Sequence, residues 1–281
     1  MSSAAPVTPS PRPGHLAALV SDVREMVREL VEYRELLYTM MRRDLLLRYH
    51  QTIMGIGWAV LMPVTYMLVF SLIFTRVVPL ETTLPYPIYA YAGLLPWNLL
   101  ASSLRFAVSS LVANSTLVTK VYFPREILPF SVILVSLVDF AIGAVVLAGL
   151  MAWYQVPVGP ALLFAPVVLL VQIAFTAGIT LIVSMGNLFY RDVKYLLEIG
   201  ITLWMFASSV VYPVQRVGGA LGKLLALNPM TPILDAWRAV LLENRLPDAG
   251  PFAYATVVAF TLLAIAWLSF HRAEHSFAEN V

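Results

Sequence analysis

Five stretches of this sequence contain no Asp, Glu, Lys or Arg, and they constrain the fold more than any other feature. They are residues 51–75, 82–104, 140–190, 199–215 and 249–270. A helix of about 20 apolar residues crosses the hydrocarbon core of a bilayer. Hydrophobic residues make up 60% of the chain and charged residues 12%, against roughly half and roughly a quarter in soluble domains. This balance excludes a soluble enzyme, and the net charge of only +2 argues against a nucleic-acid-binding domain.

The uncharged stretches and their flanks predict an all-α polytopic membrane protein with six transmembrane helices. The longest stretch holds two of them, because the segment 154–160 contains the turn-forming residues Pro157, Gly159 and Pro160. Transmembrane barrels are the other solution, but their strands alternate in polarity over about ten residues, whereas these runs are continuous. The predicted spans are 56–75, 89–112, 130–152, 162–185, 195–212 and 252–270.

The basic residues near the span ends predict the orientation. If the N-terminus is cytoplasmic, Arg42 and Arg43 before the first span and Lys120 and Arg125 after the second all lie on the cytoplasmic side. We therefore expect a multi-pass protein of the cytoplasmic (inner) membrane with both termini in the cytoplasm.

The N-terminal region is predicted to contain a tail and an amphipathic helix. Residues 1–20 are expected to be disordered, because 1–14 are rich in Pro, Ser and Ala without an apolar run. Over 21–54 the apolar and charged residues occupy opposite halves of a helix, which predicts a helix lying in the membrane interface. A soluble helix packed on a partner protein is the alternative. Residues 55–281 form the predicted six-span domain.

Arg42, Arg43 and Arg48 lie at the end of this amphipathic segment. They are candidates for binding the phosphate groups of a substrate headgroup at the cytoplasmic entrance, since guanidinium groups match phosphate oxygens. A structural role is the alternative. Asp44 and Arg48 both point into the apolar half and are four residues apart with the acid first, which favours an ion pair within the helix.

Three charged residues, Arg105, Asp139 and Glu198, lie inside predicted spans, where a charge is costly and is a functional candidate. Arg105 in the second span and Asp139 in the third are at similar depths, which predicts that they form an intramembrane ion pair. Glu198 lies nearer the inner face. An ion- or proton-coupled secondary transporter that uses Asp139 and Glu198 is therefore one possible function.

Aromatic side chains recur at helical spacing in two spans. They suit a sugar-binding path, because sugar rings expose apolar faces that stack on aromatic rings, but packing between helices produces the same pattern. The candidates in the first span are Trp58, Tyr66 and Phe70, and those in the fifth are Trp204, Phe206 and Tyr212.

Five motifs occur in the order found in one transporter family. They are RDLLLRY at 43–49 followed by Gly55, Gly57, Trp58 and Pro63, GLLPW at 93–97, KVYFPREILP at 120–129, NLFYRDV at 187–193, and NPMTP at 228–232. With these motifs the chain resembles the permease subunits of type-2 ABC exporters for polysaccharides, and within them the O-antigen and teichoic-acid exporters.

The resemblance implies a homodimer in the membrane lipid, worked by a separate cytoplasmic ABC ATPase dimer, with a lipid-linked polysaccharide as substrate. The inner loops 113–129 and 186–194 are expected to couple the ATPase to the spans. The outer segment 213–251 is expected to form a re-entrant helical hairpin, with a lipid-facing cap as the alternative. The expected coupling residues are Lys120, Tyr122, Arg125, Glu126, Tyr190, Arg191, Asp192 and Lys194.

The sequence also indicates that nucleotide, cofactor and metal binding are not expected on this chain. It contains no G-x-x-x-x-G-K-[ST] motif, so ATP and Mg²⁺ are expected on the partner ATPase and no cofactor on this chain. There is no cysteine, which removes disulfides and thiolate metal sites, and no metal site is expected. We thus expect a transport permease rather than an enzyme; a membrane anchor for a biosynthetic complex is a third possibility.

Overall fold

The computed structural model describes residues 15–50, 52–77, 84–214 and 217–277. Most of the predicted disordered tail, residues 1–14, lies outside the described residues. Within the described ranges all regular secondary structure is helical and no strand occurs, in agreement with the predicted fold class. The helices are α1 (His15–Glu32), α2 (Arg34–Tyr49), α3 (Gly57–Leu72), α4 (Tyr86–Ala107), α5 (Ser110–Ala113), α6 (Ser115–Lys120), α7 (Ile127–Trp153), α8 (Ala165–Phe189), α9 (Val193–Phe206), α10 (Gly219–Ala226), α11 (Met230–Leu241) and α12 (Ala249–Ala273).

The predicted amphipathic helix forms two helices. The first begins at His15, before the predicted start at residue 21, because Leu16, Ala17 and Leu19 are strong helix formers. Tyr33 separates α1 from α2, with φ of −90° and ψ of 18°. A turn then leads into α3 through Gly55, whose φ of +52° is readily adopted only by a residue without a side chain.

Four helical segments of the described chain are long and apolar enough to cross a membrane. They match the predicted first, third, fourth and sixth spans, with somewhat different ends. These segments are Gly57–Val77, Ile127–Trp153, Pro160–Phe189 and Ala249–Ala273.

The predicted second and fifth spans differ from these four for separate reasons. Helix α4 has 22 residues but is more polar, and most of its surface is covered by α3, α7, α8 and α11. A helix enclosed by other helices does not need a lipid-compatible surface. Helix α9 has 14 residues, or about 21 Å at 1.5 Å per residue. That length is too short for a crossing by itself.

Two hydrophobic clusters hold the helices together. The main core surrounds α4, where Tyr91 and Leu100 are completely buried, and it includes residues of α8 and α11. The second cluster, here called the basic-end core, joins the two inner loops to α2 and to the end of α12. Its members include Met40, Leu111, Val118, Phe123, Leu181, Leu188 and Phe270. The basic-end core therefore places both predicted coupling loops at the same end of the bundle.

The segment 213–251, which was predicted to form a re-entrant hairpin, contains α10 and α11. Most residues of α11 are buried, and the helix packs against α4 and α8. Trp237 in this helix donates a hydrogen bond from Nε1 to Gln172 Oε1 at 2.6 Å, and Gln172 donates to the carbonyl oxygen of Pro96 at 2.6 Å. These bonds fix α11 to the middle of the two neighbouring helices.

Candidate functional site

A cavity of about 310 Å³ lies between the end of α2 and helices α3, α4 and α7, and we call it the Asp139 cavity. It brings together residues that were predicted to have three different roles: headgroup binding, aromatic contact and charge pairing. The side chains that matter for these roles are Arg48, Tyr49, Trp58, Tyr66, Asn98, Ser102, Arg105, Phe106 and Asp139.

Asp139 is the centre of a polar network in this cavity. Its carboxylate forms an ion pair with Arg48 and accepts a hydrogen bond from the phenol of Tyr49. Arg48 Nη1 also donates to Ser102 Oγ at 3.3 Å. Burial, followed by the hydrogen bond to Asp139, raises the pKa of Tyr49. The network fixes the last turn of α2 to α4 and α7.

The predicted ion pair between Arg105 and Asp139 is not formed. Both residues line the same cavity, as their depth implies, but Arg105 pairs with Glu198 of α9 at 3.2 Å. The rotation of α4 turns Arg105 toward α9, while the end of α2 supplies Arg48 to Asp139. Each acidic residue therefore has a basic partner.

A second cavity, of about 480 Å³, adjoins the first, and we call it the arginine cavity. Arg48 and Phe106 line both cavities, and Arg48 Cζ lies 3.9 Å from the centroid of the Phe106 ring at their junction. Arg43 lines the arginine cavity, and Arg42 is exposed close by in the sequence. Of the three predicted phosphate-binding arginines, Arg43 and Arg48 therefore line the arginine cavity, and Arg42 lines neither cavity.

Asp44 does not pair with Arg48 as the spacing suggested. Its carboxylate lies 2.7 Å from Arg43 Nη2 and accepts a hydrogen bond from Ser131 Oγ at 3.0 Å. Arg48 pairs with Asp139 instead. Asp44 consequently attaches α2 to the first turns of α7 and reduces the positive charge that Arg43 offers to a ligand.

The predicted aromatic path in the first span is only partly present. Trp58 and Tyr66 line the Asp139 cavity and are 40% and 48% exposed. Phe70 is buried and stacks on Phe74, with ring centroids 6.4 Å apart. Two of the three rings can therefore contact a ligand, and Phe70 packs between helices.

The predicted aromatic set near the fifth span divides in a similar way. Trp204 packs edge-on against Trp97 and Phe175 at 6.0 Å, and its indole donates to Asn228 Oδ1 at 3.0 Å. Phe206 remains about half exposed, and the phenol of Tyr212 donates to its carbonyl oxygen. Trp204 is therefore a packing residue in this chain, and the structure does not bring the two aromatic sets together.

An irregular segment, residues 207–214, takes the place of the last part of the predicted fifth span. Its backbone is buried, and side chains from elsewhere in the chain satisfy its carbonyl groups. Asn228 Nδ2 donates to the carbonyl oxygen of Ala207 at 3.0 Å, and the Tyr86 phenol donates to that of Val211 at 2.7 Å. Non-helical backbone at membrane depth is tolerated only where protein or water satisfies its polar groups.

Arg238, which is only 3% exposed, also holds this segment. Its guanidinium donates to the carbonyl oxygen of Val210 at 2.6 Å and lies 4.0 Å over the ring of Tyr89. A Cβ atom on Gly93 would lie 2.2 Å from Arg238 Nη2 and 2.3 Å from the Val210 oxygen. Gly93 in the second predicted span and Arg238, which follows the NPMTP motif, therefore form one close contact. The absence of a side chain at Gly93 leaves room for the guanidinium group.

The two predicted coupling loops expose some residues and bury others. Tyr122 and Tyr190 are 83% and 74% exposed, and Lys120, Arg191, Asp192 and Lys194 are also exposed. Arg125 instead pairs with Glu274 at 2.9 Å, and Glu126 is completely buried. The loops thus present two tyrosines and four charged residues to a partner, while Arg125 and Glu126 fix the first loop from inside.

Several residues of the Asp139 cavity were not among the predicted site residues. Tyr49 is one of them; it ends the RDLLLRY motif and directly follows Arg48. Asn98, Ser102 and Phe106 recur every four residues on α4 and so lie on one face of the helix. That polar spacing within an apolar span was the available signal.

Comparisons with known proteins identify the family of this chain. Residues 35–242 match the ABC-2 type transporter family. The chain is 36% identical over 260 residues to the O-antigen export system permease protein RfbA of Myxococcus xanthus, which covers 91% of this chain and 99% of that protein. A Klebsiella pneumoniae protein of the same name is 26% identical over 251 residues, covering 87% of this chain and 94% of that protein. The chain therefore belongs to the ABC-2 type transporter family.

Proposed function

We propose that this chain is the transmembrane permease subunit of an ATP-driven exporter of lipid-linked polysaccharide. The substrate is an O-antigen or a teichoic-acid-like polymer, and it crosses the cytoplasmic membrane. The observation that carries the proposal is the similarity to an O-antigen export permease over 91% of this chain. The Asp139 cavity adds chemistry suited to such a substrate, because it combines a guanidinium group with two exposed aromatic rings.

The proposed subunit crosses the membrane six times with both termini in the cytoplasm. Four crossings are the apolar helices described above. Helix α4 supplies the second crossing. Helix α9 together with the irregular segment 207–214 supplies the fifth, since the segment extends the short helix and its backbone polar groups are satisfied internally. Helices α10 and α11 then re-enter the outer leaflet between the last two crossings.

ATP hydrolysis takes place on a separate cytoplasmic ABC ATPase dimer that holds ATP and Mg²⁺. Two copies of the permease pair in the membrane, and each ATPase subunit contacts the loops 113–129 and 186–194. Support comes from the exposed rings of Tyr122 and Tyr190 at one end of the bundle, since large exposed aromatic side chains are typical of protein interfaces. The basic-end core transmits movement of these loops to α2, α8 and α12, which it holds together.

The substrate enters headgroup first from the cytoplasmic leaflet. Its pyrophosphate meets Arg42 and Arg43 and then Arg48, which lies at the junction of the two cavities. The sugar chain follows and stacks on Trp58 and Tyr66 beside α3. In the pair of permeases these rings face a shared channel, and closure of the ATPase dimer moves the loops and opens that channel outward.

Depletion of the protein in its own cell tests this function. The lipid-linked glycan that accumulates should be of O-antigen or teichoic-acid type, and it should remain on the cytoplasmic face, where an added periplasmic or extracellular glycosidase cannot reach it. A plasmid copy of the gene should restore export. Normal surface glycan in depleted cells would contradict the proposal.

A further inference from the structure

Three side chains from distant parts of the sequence meet at the basic end of the bundle. Glu29 lies on α1, Glu126 directly precedes α7, and His271 lies in the last turn of α12. Each offers a donor atom, and these atoms lie within 4.8 Å of one another. A cavity of about 230 Å³ borders Glu29 and His271. The cluster lies outside the Asp139 cavity, and neither the family nor the relatives' names assign it a role.

Glu126 is the unusual member, because it is a carboxylate with 0% of its surface exposed. Oε1 accepts a hydrogen bond from Trp267 Nε1 at 3.2 Å, but Oε2 has no hydrogen-bond partner. Burial, which removes the charged form from water, raises the pKa of Glu126. A buried carboxylate oxygen without a partner costs free energy unless a proton or a cation compensates it.

His271 is the second residue of the cluster that has a polar atom without a hydrogen-bond partner. Its Nδ1 atom has no hydrogen-bond partner and lies 3.8 Å from Glu274 Oε2. Glu274 is already engaged by Arg125 at 2.9 Å, and both of these side chains are only 13% exposed. Arg125 is therefore committed to Glu274 and does not neutralise the two carboxylates of the cluster.

The remaining charges nearby leave the cluster negative. Glu25 lines the same cavity, and its basic neighbour Arg28 lies 3.8 Å away with 71% of its side chain in solvent. Partial burial raises the pKa of Glu29, an effect that the nearby His271 opposes. Two carboxylates thus share one imidazole, which is an arrangement that favours a divalent cation over a second basic side chain.

We propose that Glu29, Glu126 and His271 bind one divalent transition-metal ion of the Zn²⁺ class. Zinc accepts one imidazole and two carboxylates as ligands at about 2.0–2.2 Å, and a solvent molecule can complete a tetrahedron. A tetrahedral site needs its donor atoms about 3.3 Å apart, whereas the three donor atoms now lie within 4.8 Å of one another. Rotation of the Glu29 side chain on α1 can bring its carboxylate closer to the other two donor atoms. Mg²⁺ and Ca²⁺ fit less well because they prefer oxygen ligands alone.

The metal ion would connect three elements, of which the loop and the end of α12 are also joined by the ion pair between Arg125 and Glu274. It would hold α1 of the interfacial region against the loop 113–129 and the end of α12. The loop is one of the two surfaces proposed to contact the ATPase, so the metal would set its stiffness. The existence of the site does not depend on which substrate is exported.

The test uses the full-length permease in lipid nanodiscs, purified with a tag that contains no histidine. After treatment with a chelator, the protein is titrated with ZnCl₂ alone, and bound metal is measured by isothermal titration calorimetry and elemental analysis. The variants are Glu126→Gln and His271→Gln. The matched controls are Glu32→Gln, an exposed carboxylate on α1, and His50→Gln, an exposed histidine after α2.

We expect one zinc ion per chain in the wild-type protein and both controls. Each ligand variant should bind zinc more than about tenfold more weakly, since loss of an outer-shell partner alone costs 10–100-fold. If the wild-type protein binds zinc no more tightly than both ligand variants do, the zinc is an adventitious ion only, and the proposal is overturned. So would the absence of a zinc equivalent in the wild-type protein.

X-ray absorption at the zinc edge of the wild-type protein keeps the test decisive if a ligand variant fails to fold. The expected spectrum shows a single imidazole with oxygen ligands. Scattering from two or more imidazoles, or from oxygen alone, would overturn the assignment of Glu29, Glu126 and His271. Transport activity is not needed for either readout, so failure here is distinct from failure of the proposed export function.

Discussion

Arg48 at the end of α2 forms an ion pair with Asp139 in α7, 91 residues further along the chain. The pair links the interfacial helix to the transmembrane bundle at the point where the two cavities meet. Its side chains are 13% and 21% exposed, so little water screens the interaction. Stability and the position of α2 therefore depend on the same two residues, and Arg48 also lies on the proposed route of the substrate headgroup.

Removing one member of this pair should leave an unpaired charge. We expect Arg48→Gln to lower the free energy of unfolding by about 3 kcal/mol. The double variant Arg48→Gln/Asp139→Asn should regain about 1–3 kcal/mol of this loss. Chemical unfolding in detergent micelles measures both values.

The pair of Arg105 with Glu198 provides the control for this cycle. Its side chains are 45% and 56% exposed, so the same double-variant cycle should give a coupling energy below about 1 kcal/mol. A strong coupling between Arg105 and Asp139, together with none between Arg48 and Asp139, would contradict the network described for the cavity.

Gly93→Ala should destabilise the protein, because the new Cβ atom would lie 2.2 Å from Arg238 Nη2 and 2.3 Å from the Val210 oxygen. Displacing these groups should cost about 1–3 kcal/mol. Gly149→Ala is the matched control, since no atom lies within 4 Å of its added Cβ. That change should be neutral or stabilise α7 by up to about 1 kcal/mol. Equal thermal stabilities of the two variants would contradict the close contact.

The predicted membrane crossings show which parts of the fold followed from the sequence and which did not. Four of the six predicted crossings correspond to long apolar helices, because hydropathy is encoded locally, and the predicted 130–152 corresponds to Ile127–Trp153. The predicted fifth span, 195–212, is an α-helix only as far as Phe206. Helix α9 ends at Phe206 because the following backbone is satisfied by side chains such as Asn228 and Arg238, which are distant in the sequence.

The charged partners were difficult to predict for a related reason. Depth along a helix follows from residue number, and it correctly brought Arg105 and Asp139 to one cavity. The partner that each residue selects depends on the rotation of its helix and on how α2 folds back against the bundle. Neither quantity follows from the spacing of residues.

The family resemblance, carried by short motifs, was confirmed by the match over residues 35–242.

Tyr122→Ala and Tyr190→Ala should weaken binding of the partner ATPase without unfolding the permease. Both rings are largely exposed, so their loss should change stability by less than about 0.5 kcal/mol. Each should raise the dissociation constant for the ATPase about tenfold, the loss expected for an aromatic residue in an interface. The control is Trp153→Ala, which removes an 81% exposed ring at the other end of α7. Unchanged ATPase binding in both loop variants would argue against these loops as the contact.

Trp58→Ala and Tyr66→Ala should reduce export while the protein remains folded, because both rings line the Asp139 cavity. Phe70→Ala should instead lower the free energy of unfolding by about 3–5 kcal/mol, since that ring is buried. Surface glycan and thermal unfolding are measured for each variant. Leu68→Ala, a change on an exposed part of the same helix, serves as the control. Normal export in the Trp58 and Tyr66 variants would exclude these rings from the substrate path.

The most direct measurement of the central claim is translocation in a reconstituted system. The permease and its partner ATPase are placed in proteoliposomes with a lipid-linked polysaccharide, and the polymer that reaches the opposite face is quantified. We predict that translocation requires ATP and stops when the ATPase carries a substitution of its nucleotide-binding lysine. Translocation that continues with this inactive ATPase and collapses when the proton gradient is dissipated would contradict the account.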